Sequence, residues 1–207
     1  MLFFSSDQHY HHLNALKLIP SRPWSTIDEM NQGLLQAHNS VVSEDDVVIF
    51  LGDLVMGQKS ETVPAIIPFL KGRKYLILGN HDAGFQARDQ KFLDKIDIYL
   101  RNGIIGVRDG SIDLIEFLTK CGEHELVKSL GDLAIDLCHF PYKGVPDHSD
   151  MFEDRYASLK PEPSDKLLLH GHTHRETRRT AYNMIHVGVD AWGFLPVSFD
   201  QILELYL

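Results

Sequence analysis

Short runs of consecutive apolar residues punctuate this chain, and each ends on a small polar cluster. The runs are Leu2-Phe3-Phe4, Val47–Leu51, Tyr75–Leu78, Leu133–Cys138 and Leu167-Leu168-Leu169. Runs of this length predict strands buried on both faces, as in an α/β sheet. The clusters that follow them are Asp7-Gln8-His9, Gly52-Asp53, Gly79-Asn80-His81-Asp82, His139 and Gly171-His172-Thr173-His174. Ligands of such sheets gather at the carboxyl ends of the strands. Carboxylate, imidazole and amide groups delivered there five times predict one metal site assembled from the whole chain.

The segments between the runs predict crossover helices. Thr26-Ile27-Asp28-Glu29 is a capping box, in which the Thr hydroxyl accepts a backbone N–H and Glu29 reaches back. Ile27, Met30, Leu34 and Val41 then follow at the spacing of a helix packed on a sheet. With the flanking runs this helix makes a β-α-β unit. Ser60–Leu70 predicts a second crossover helix, with Pro64 near its start and Pro68 counting against its far end. Arg88–Leu100 predicts a third. Ile104–Val107 reads as a strand, whereas Ser111–Leu118 and Glu125–Leu130 fit either strand or helix. A polar loop is expected over Pro141–Ser164, and Asn183–Val189 and Ile202–Leu207 read as closing strands. No repeat or linker divides the chain, so residues 1–207 are expected to form a single α/β domain.

Composition narrows the function. A chain of 207 residues, 43% of them hydrophobic, can bury a proper core. Its formal charge of −9 disfavours non-specific binding to polyanions. The densest basic cluster, Arg175, Arg178 and Arg179, is interrupted by Glu176 and reads as a solvated loop. A nucleic-acid polymer is therefore not an expected partner. No run approaches the ~20 apolar residues of a membrane span, so no membrane partner is expected either. The opening residues do not read as a secretory signal. Cys121 and Cys138, the two cysteines, suggest neither a disulfide framework nor a cysteine metal site, and the cytoplasm is the expected compartment. Histidine changes the picture: of 12, five lie in the clusters above, and imidazole suits first-row divalent metals.

Asp7 and His9 are two apart, so on an extended strand they share a face and can meet one metal. Asp53 follows a glycine at a strand end, and its two carboxylate oxygens can bridge two cations, which a neutral imidazole cannot do. His172 and His174 repeat the i, i+2 spacing where a strand is ending, so the turn can send the two rings to different metals. Each cluster alone has an ordinary explanation. An Asp-x-His is commonly a surface pair, a His after an apolar strand is commonly hydrogen-bonded, and Gly-Asn is good turn chemistry. The order and placement of all five carry the signal.

That order resembles the calcineurin-like metallophosphoesterases, whose pattern runs D-x-H, G-D, G-N-H-D/E, a lone H, then G-H-x-H. The five blocks stand here from Asp7 to His174 and so span most of the chain. The chain is similar in particular to small bacterial and phage members, through Asp7-Gln-His-Tyr-His-His12, Arg22-Pro23-Trp24, His139-Phe140-Pro141 and Val187-Gly-Val-Asp190-Ala-Trp192. The resemblance implies the metallo-dependent phosphatase fold, a four-layer αββα sandwich of two mixed β-sheets with the site along their common edge. It implies one metal on Asp7, His9, Asp53 and His174, and a second on Asp53, Asn80, His139 and His172, with Asp53 bridging. Two divalent cations held by mostly neutral ligands would leave the centre cationic and attract a phosphate ester despite the acidic surface.

The implied activity is phosphoester hydrolysis, most of all of small phosphodiesters such as cyclic nucleotides, with some phosphomonoesterase activity. A hydroxide shared by the two metals would attack phosphorus. His81 resembles the residue that steadies or protonates the leaving group, a role typically worth ~10²–10⁴-fold. Asp82 is the candidate partner for the His81 ring, although an acid opening a helix reads the same way. His12 and Arg22 are candidate substrate contacts, Arg22 through a bidentate fork on phosphate; alternatively His12 is a surface residue and Arg-Pro-Trp locks a loop. His170 reads as a packed residue behind the ligands. His11, His38, His124, His148 and His186 carry no assigned role. The mixed nitrogen and oxygen set fits Mn²⁺ or Fe²⁺, and also Zn²⁺, Ni²⁺ or Co²⁺. Alternative readings are a catalytically silent scaffold that binds partner proteins, and a nuclease or protein phosphatase of the same fold. Oligomeric state is left open.

Overall fold

The computed structural model describes residues 1–131, 133–146 and 156–207. The middle of the expected Pro141–Ser164 loop, with His148, lies outside the described residues. In chain order the first half comprises β1 (Leu2–Ser5), α1 (Ala15–Leu18), α2 (Ile27–Val41), β2 (Val47–Phe50), α3 (Lys59–Ile66), β3 (Arg73–Ile77) and α4 (Asp89–Arg101). The second half comprises β4 (Ile104–Arg108), β5 (Ile112–Asp113), α5 (Leu114–Lys120), α6 (His124–Leu130), β6 (Ile135–Leu137), β7 (Leu167–His170), β8 (Arg179–Ala181), β9 (Met184–His186), β10 (Val197–Ser198) and α7 (Phe199–Tyr206).

These strands form two five-stranded sheets, ordered β10-β1-β2-β3-β4 and β5-β6-β7-β9-β8. In the first, β1 to β4 are parallel and β10 adds antiparallel to β1. In the second, β6, β7 and β9 are parallel between antiparallel β5 and β8. Both sheets are therefore mixed, the αββα class expected of the chain. Alternate residues of β1, β2 and β3 (Phe4, Ile49, Ile77) meet Leu137, Leu169 and Ile185 of the second sheet in one core. Their neighbours Phe3, Val48, Phe50 and Leu76 pack on the other face with Met30 and Leu34 of α2, Val63 of α3 and Ile96 of α4. Burial on both faces is why these strands read as unbroken apolar runs.

Three expectations need correction. Ile202–Leu207 belongs to a helix: Ser198 caps α7 with a full capping box to Gln201, and Ile202 faces the core. The predicted helix over Ser60–Leu70 runs to Ile66 and then tightens into a 3-10 turn over Ile67–Phe69, where Pro68 stops the α-helical ladder. The apolar stretch Asn183–Val189 is a strand only over Met184–His186, and Val189 opens a second 3-10 turn. The ambiguous segments also resolve, as a short β5 followed by α5 capped by Asp113, and as α6.

Candidate metal centre

The parallel β1–β2 ladder continues as irregular chain beyond the strand ends, and this continuation builds the centre. Asp7, His9 and Tyr10 donate their N–H groups to the carbonyls of Gly52, Asp53 and Leu54, each at 3.0 Å. The first two clusters are thus tied side by side. The spacing of Asp7 and His9 predicts that they share a face of an extended strand, and the structure corrects this. β1 ends at Ser5, and Asp7 (φ 61°) and His9 (φ 53°) are left-handed. So are Asp53 (54°), His172 (71°) and His174 (50°). Left-handed non-glycine residues are uncommon, tolerated best by Asp, Asn and His, and cluster at functional sites. Five donor residues share this conformation just beyond the strand ends.

The motif glycines leave room for carboxylates. A Cβ at Gly79 would stand 2.2 Å from Asp53 Oδ1, and one at Gly171 would stand 1.9 Å from Ser6 Oγ and 2.5 Å from Asp7 Oδ2. Asp53 Oδ1 accepts the His81 N–H at 2.9 Å, which leaves Oδ2 turned to the imidazoles. That oxygen lies 3.6 Å from His9 Nε2, 3.5 Å from His139 Nε2 and 3.9 Å from His81 Nε2. Asp7 accepts the His172 N–H at 2.9 and 3.1 Å, and its Oδ1 is 4.0 Å from His174 Nε2. Both carboxylates are buried, with His9, His139 and His172. The two rings after β7 part company: His172 packs 5.1 Å from the His139 ring, and His174 packs 4.9 Å from His9.

The tautomers follow from the hydrogen bonds of the opposite nitrogens. His139 Nδ1–H donates to the Leu51 carbonyl at 2.7 Å, so the Nε2 lone pair faces Asn80 Oδ1 at 3.1 Å and Asp53 Oδ2. His174 Nδ1–H donates to Asp190 Oδ2 at 3.0 Å, and its Nε2 meets His9 Nε2 at 3.0 Å. Electron-pair donors turned on one another at such distances fit divalent cations. Among the described residues, the donor atoms of Asp7, His9 and His174, and those of Asp7, Asp53 and His139, each lie within 4.8 Å of one another.

Electrostatics agree with that fit. Burial, helped by the charges of Asp82 and Asp7 against the opposing pull of His139, raises Asp53 to about 7. For Asp7 burial works in the same direction, but the His186, His174 and His139 imidazoles outweigh it and hold the group well below its ordinary value. His81, whose side chain is 44% exposed, is the accessible ring of the group. Burial and then the neighbouring His12 and His139 lower it to about 4, so at neutral pH it is an uncharged hydrogen-bonding group.

Two expected roles do not survive the geometry. Arg22 cannot offer a fork to phosphate, because its side chain is fully buried and all five N–H groups are engaged. Nε donates to Asp190 Oδ1 at 2.9 Å, Nη1 to the Gln8 carbonyl and Met30 Sδ, and Nη2 to the Asp7 carbonyl and Asp190 Oδ2. It braces the turn that carries Asp7, while Trp24 lies where a Cβ on Gly33 would be, locking the loop onto α2. Asp82 does not hold the His81 ring. Its Oδ2 accepts from the backbone of Asp53 (2.7 Å) and Gly79 (2.9 Å), and its Oδ1 accepts from Leu54 and the Tyr99 hydroxyl. It fastens the second cluster to the third. His12 stands at the rim, its ring 5.4 Å from His9. His170 is fully buried, with Nδ1 on the Gly171 carbonyl and Nε2 on Thr180 Oγ1. Asp190, which orients both Arg22 and His174, was not singled out from the sequence, although the Val-Gly-Val-Asp-x-Trp stretch marks it.

The calcineurin-like phosphoesterase family model matches residues 4–176, and the chain belongs to that family. It is 31% identical over 208 residues to the Gene 66 protein of Mycobacterium phage L5, covering 98% of this chain and 92% of that one. The Gene 66 protein of Mycobacterium phage D29 is also 31% identical, over 99% of this chain and 94% of its own. The solved structure of a protein of unknown function, AQ665 from Aquifex aeolicus, has the same fold at a TM-score of 0.64 and 22% identity, covering 99% and 98% of the two chains. No helix among the described residues is long and apolar enough to cross a membrane.

Proposed function

We propose that the protein is a two-metal hydrolase of small phosphodiesters, cyclic nucleotides among them, with some activity on phosphomonoesters. One observation carries the reading: a single oxygen, Asp53 Oδ2, lies between His9 Nε2 at 3.6 Å and His139 Nε2 at 3.5 Å. A carboxylate between two imidazole groups suits a pair of cations. Asp7, His9, Asp53 and His174 would hold one, and Asp53, Asn80, His139 and His172 the other. The bound ions would polarise the phosphoryl oxygens and lower the pKa of water to be the nucleophile. Mn²⁺ or Fe²⁺ suits the mixed donors, with Zn²⁺, Ni²⁺ and Co²⁺ as further candidates.

The chain's own groups divide the remaining work. His81 Nε2, 3.9 Å from Asp53 Oδ2 and open to solvent, would hydrogen-bond the leaving oxygen. His12, at the rim, would contact the ester. Asp82 and Arg22 brace the turns that carry the ligands. A cavity of about 200 Å³ adjoins the centre through His139, walled also by Phe140, Phe85 and Gln86. Free Cys121 and Cys138 accord with a cytoplasmic location.

The test is hydrolysis of bis(p-nitrophenyl) phosphate, 2′,3′- and 3′,5′-cyclic nucleotides and phosphomonoesters, with and without added divalent metal. Diester cleavage that appears with Mn²⁺ and disappears with chelator is expected. Failure to cleave any ester at saturating metal, with tight binding to a partner protein, would establish the scaffold reading instead.

A further inference from the structure

His186 has no part in the roles assigned above, yet it stands directly behind a ligand. Its side chain on β9 is fully buried, and neither ring nitrogen has a hydrogen-bond partner among the described residues. Nε2 lies 3.8 Å from Asp7 Oδ2, longer than a hydrogen bond but close enough for the N–H dipole and the carboxylate to interact. The other Asp7 oxygen, Oδ1, is the one 4.0 Å from His174 Nε2.

Gly188 provides the space in which the two groups face each other. A Cβ there would stand 2.5 Å from His186 Nε2 and 3.1 Å from Asp7 Oδ2. Its backbone, φ −62° and ψ 140°, suits any residue, so the site uses the small size of glycine rather than its conformational freedom. The ring is also held from outside. His170, fixed by the Gly171 carbonyl and Thr180, packs 5.4 Å from it. The His186 carbonyl accepts the Trp192 indole N–H at 2.8 Å, and its N–H donates to the Arg178 carbonyl at 2.7 Å.

We propose that His186 is a positioning residue for the metal centre, facing Asp7 across the gap at Gly188 and holding Oδ2 so that Oδ1 is presented towards His174. With its proton on Nε2 the imidazole turns its N–H dipole towards the carboxylate from 3.8 Å, placed as groups behind a ligand are when they fix its orientation. The inference rests on the two-metal reading above.

The experiment is titration of metal-free protein with Mn²⁺, followed by the electron paramagnetic resonance signal of the free ion, for wild type, His186→Leu, His186→Gln and Gly188→Ala. Thermal melting of each metal-free protein runs in parallel. His186→Leu is expected to weaken Mn²⁺ binding by roughly 10–100-fold. His186→Gln, whose amide nitrogen reaches the position of Nε2, should recover most of that loss. Gly188→Ala should resemble His186→Leu, because the added methyl displaces the ring. A role in packing alone would affect the leucine and glutamine variants alike. If His186→Leu does not fold, recovery in His186→Gln together with weakening in Gly188→Ala still supports the inference, and any other result from that pair overturns it. Wild type that binds two Mn²⁺ with every folded variant its equal overturns the inference alone. Wild type that binds no Mn²⁺ overturns the two-metal reading and this one with it.

Discussion

At the scale of single residues, the centre depends on groups that are not among the proposed ligands but hold the ligand residues in place. Arg22 is the strongest case. Four of its five N–H groups satisfy the buried Asp190 carboxylate and the carbonyls of Asp7 and Gln8, and the fifth meets Met30 Sδ. Breaking a buried pair by removing one partner typically costs ~3–5 kcal/mol, because the other charge stays buried and unpaired. Arg22→Ala should therefore lower unfolding free energy by about that amount in a denaturant titration, and Arg22→Lys should recover little, since an ammonium cannot span the same acceptors. His81 predicts the opposite pattern. Its accessible ring is not among the proposed ligands, so His81→Ala should cut diester turnover roughly 10²–10³-fold while metal content measured by elemental analysis stays at two ions. Loss of both ions in that variant would move His81 into the ligand set. The role of Arg22, unlike that of His81, could not be read from order along the chain. Arg22 and Asp190 are 168 positions apart, and only folding reveals that the guanidinium is fully occupied.

At the scale of elements, the donors were legible because apolar strands end where the chain must leave the sheet, and polar clusters there have few structural duties. The manner of leaving was not legible. Alternation and run length report extended or helical backbone, whereas Asp7, His9, Asp53, His172 and His174 are all left-handed. The i, i+2 spacing of Asp7 and His9 therefore suggested the right neighbourhood through the wrong geometry. α7 shows a different loss. Ile202-Leu203-Glu204-Leu205-Tyr206-Leu207 is too short for periodicity to separate strand from helix, and the Ser198-x-x-Gln201 box just before it held the answer. Both capping bonds form there, Gln201 N–H to Ser198 Oγ at 3.2 Å and Ser198 N–H to Gln201 Oε1 at 3.0 Å. Ser198→Ala should cost ~1 kcal/mol of stability by thermal or chemical unfolding and leave hydrolysis unchanged. A larger loss would mean that β10, not the cap, holds the C-terminal helix in place.

At the scale of the whole molecule, buried ionisable groups make stability depend on both metal and pH, in opposing ways. Asp53 lies at about 7 in the metal-free fold against an ordinary 3.8. Between those values the folded state keeps a proton that the unfolded chain has released, so the metal-free fold loses stability as pH rises. His38, buried against Phe50 and bonded to the Lys71 carbonyl, acts the other way. Burial lowers it from 6.5 to about 4, so it contributes full stability above pH 6.5 and loses about 3 kcal/mol as pH falls to 4. Burial lowers His81 to about 4 and His170 to about 3 in the same sense. Melting of the metal-free protein should therefore rise as pH goes from 5 to 6.5, the histidine slopes outweighing that of Asp53. Metal alters that balance through Asp53. Binding requires Asp53 to be ionised, and a ligand at 100 times its Kd adds ~2.7 kcal/mol per site. The gap in melting temperature between Mn²⁺-loaded and chelator-treated protein should thus widen steadily from pH 5 to 7.5. Scanning fluorimetry at several pH values in that range reads it directly, and a gap of constant size would mean that no carboxylate at the centre gives up a proton when the metals bind.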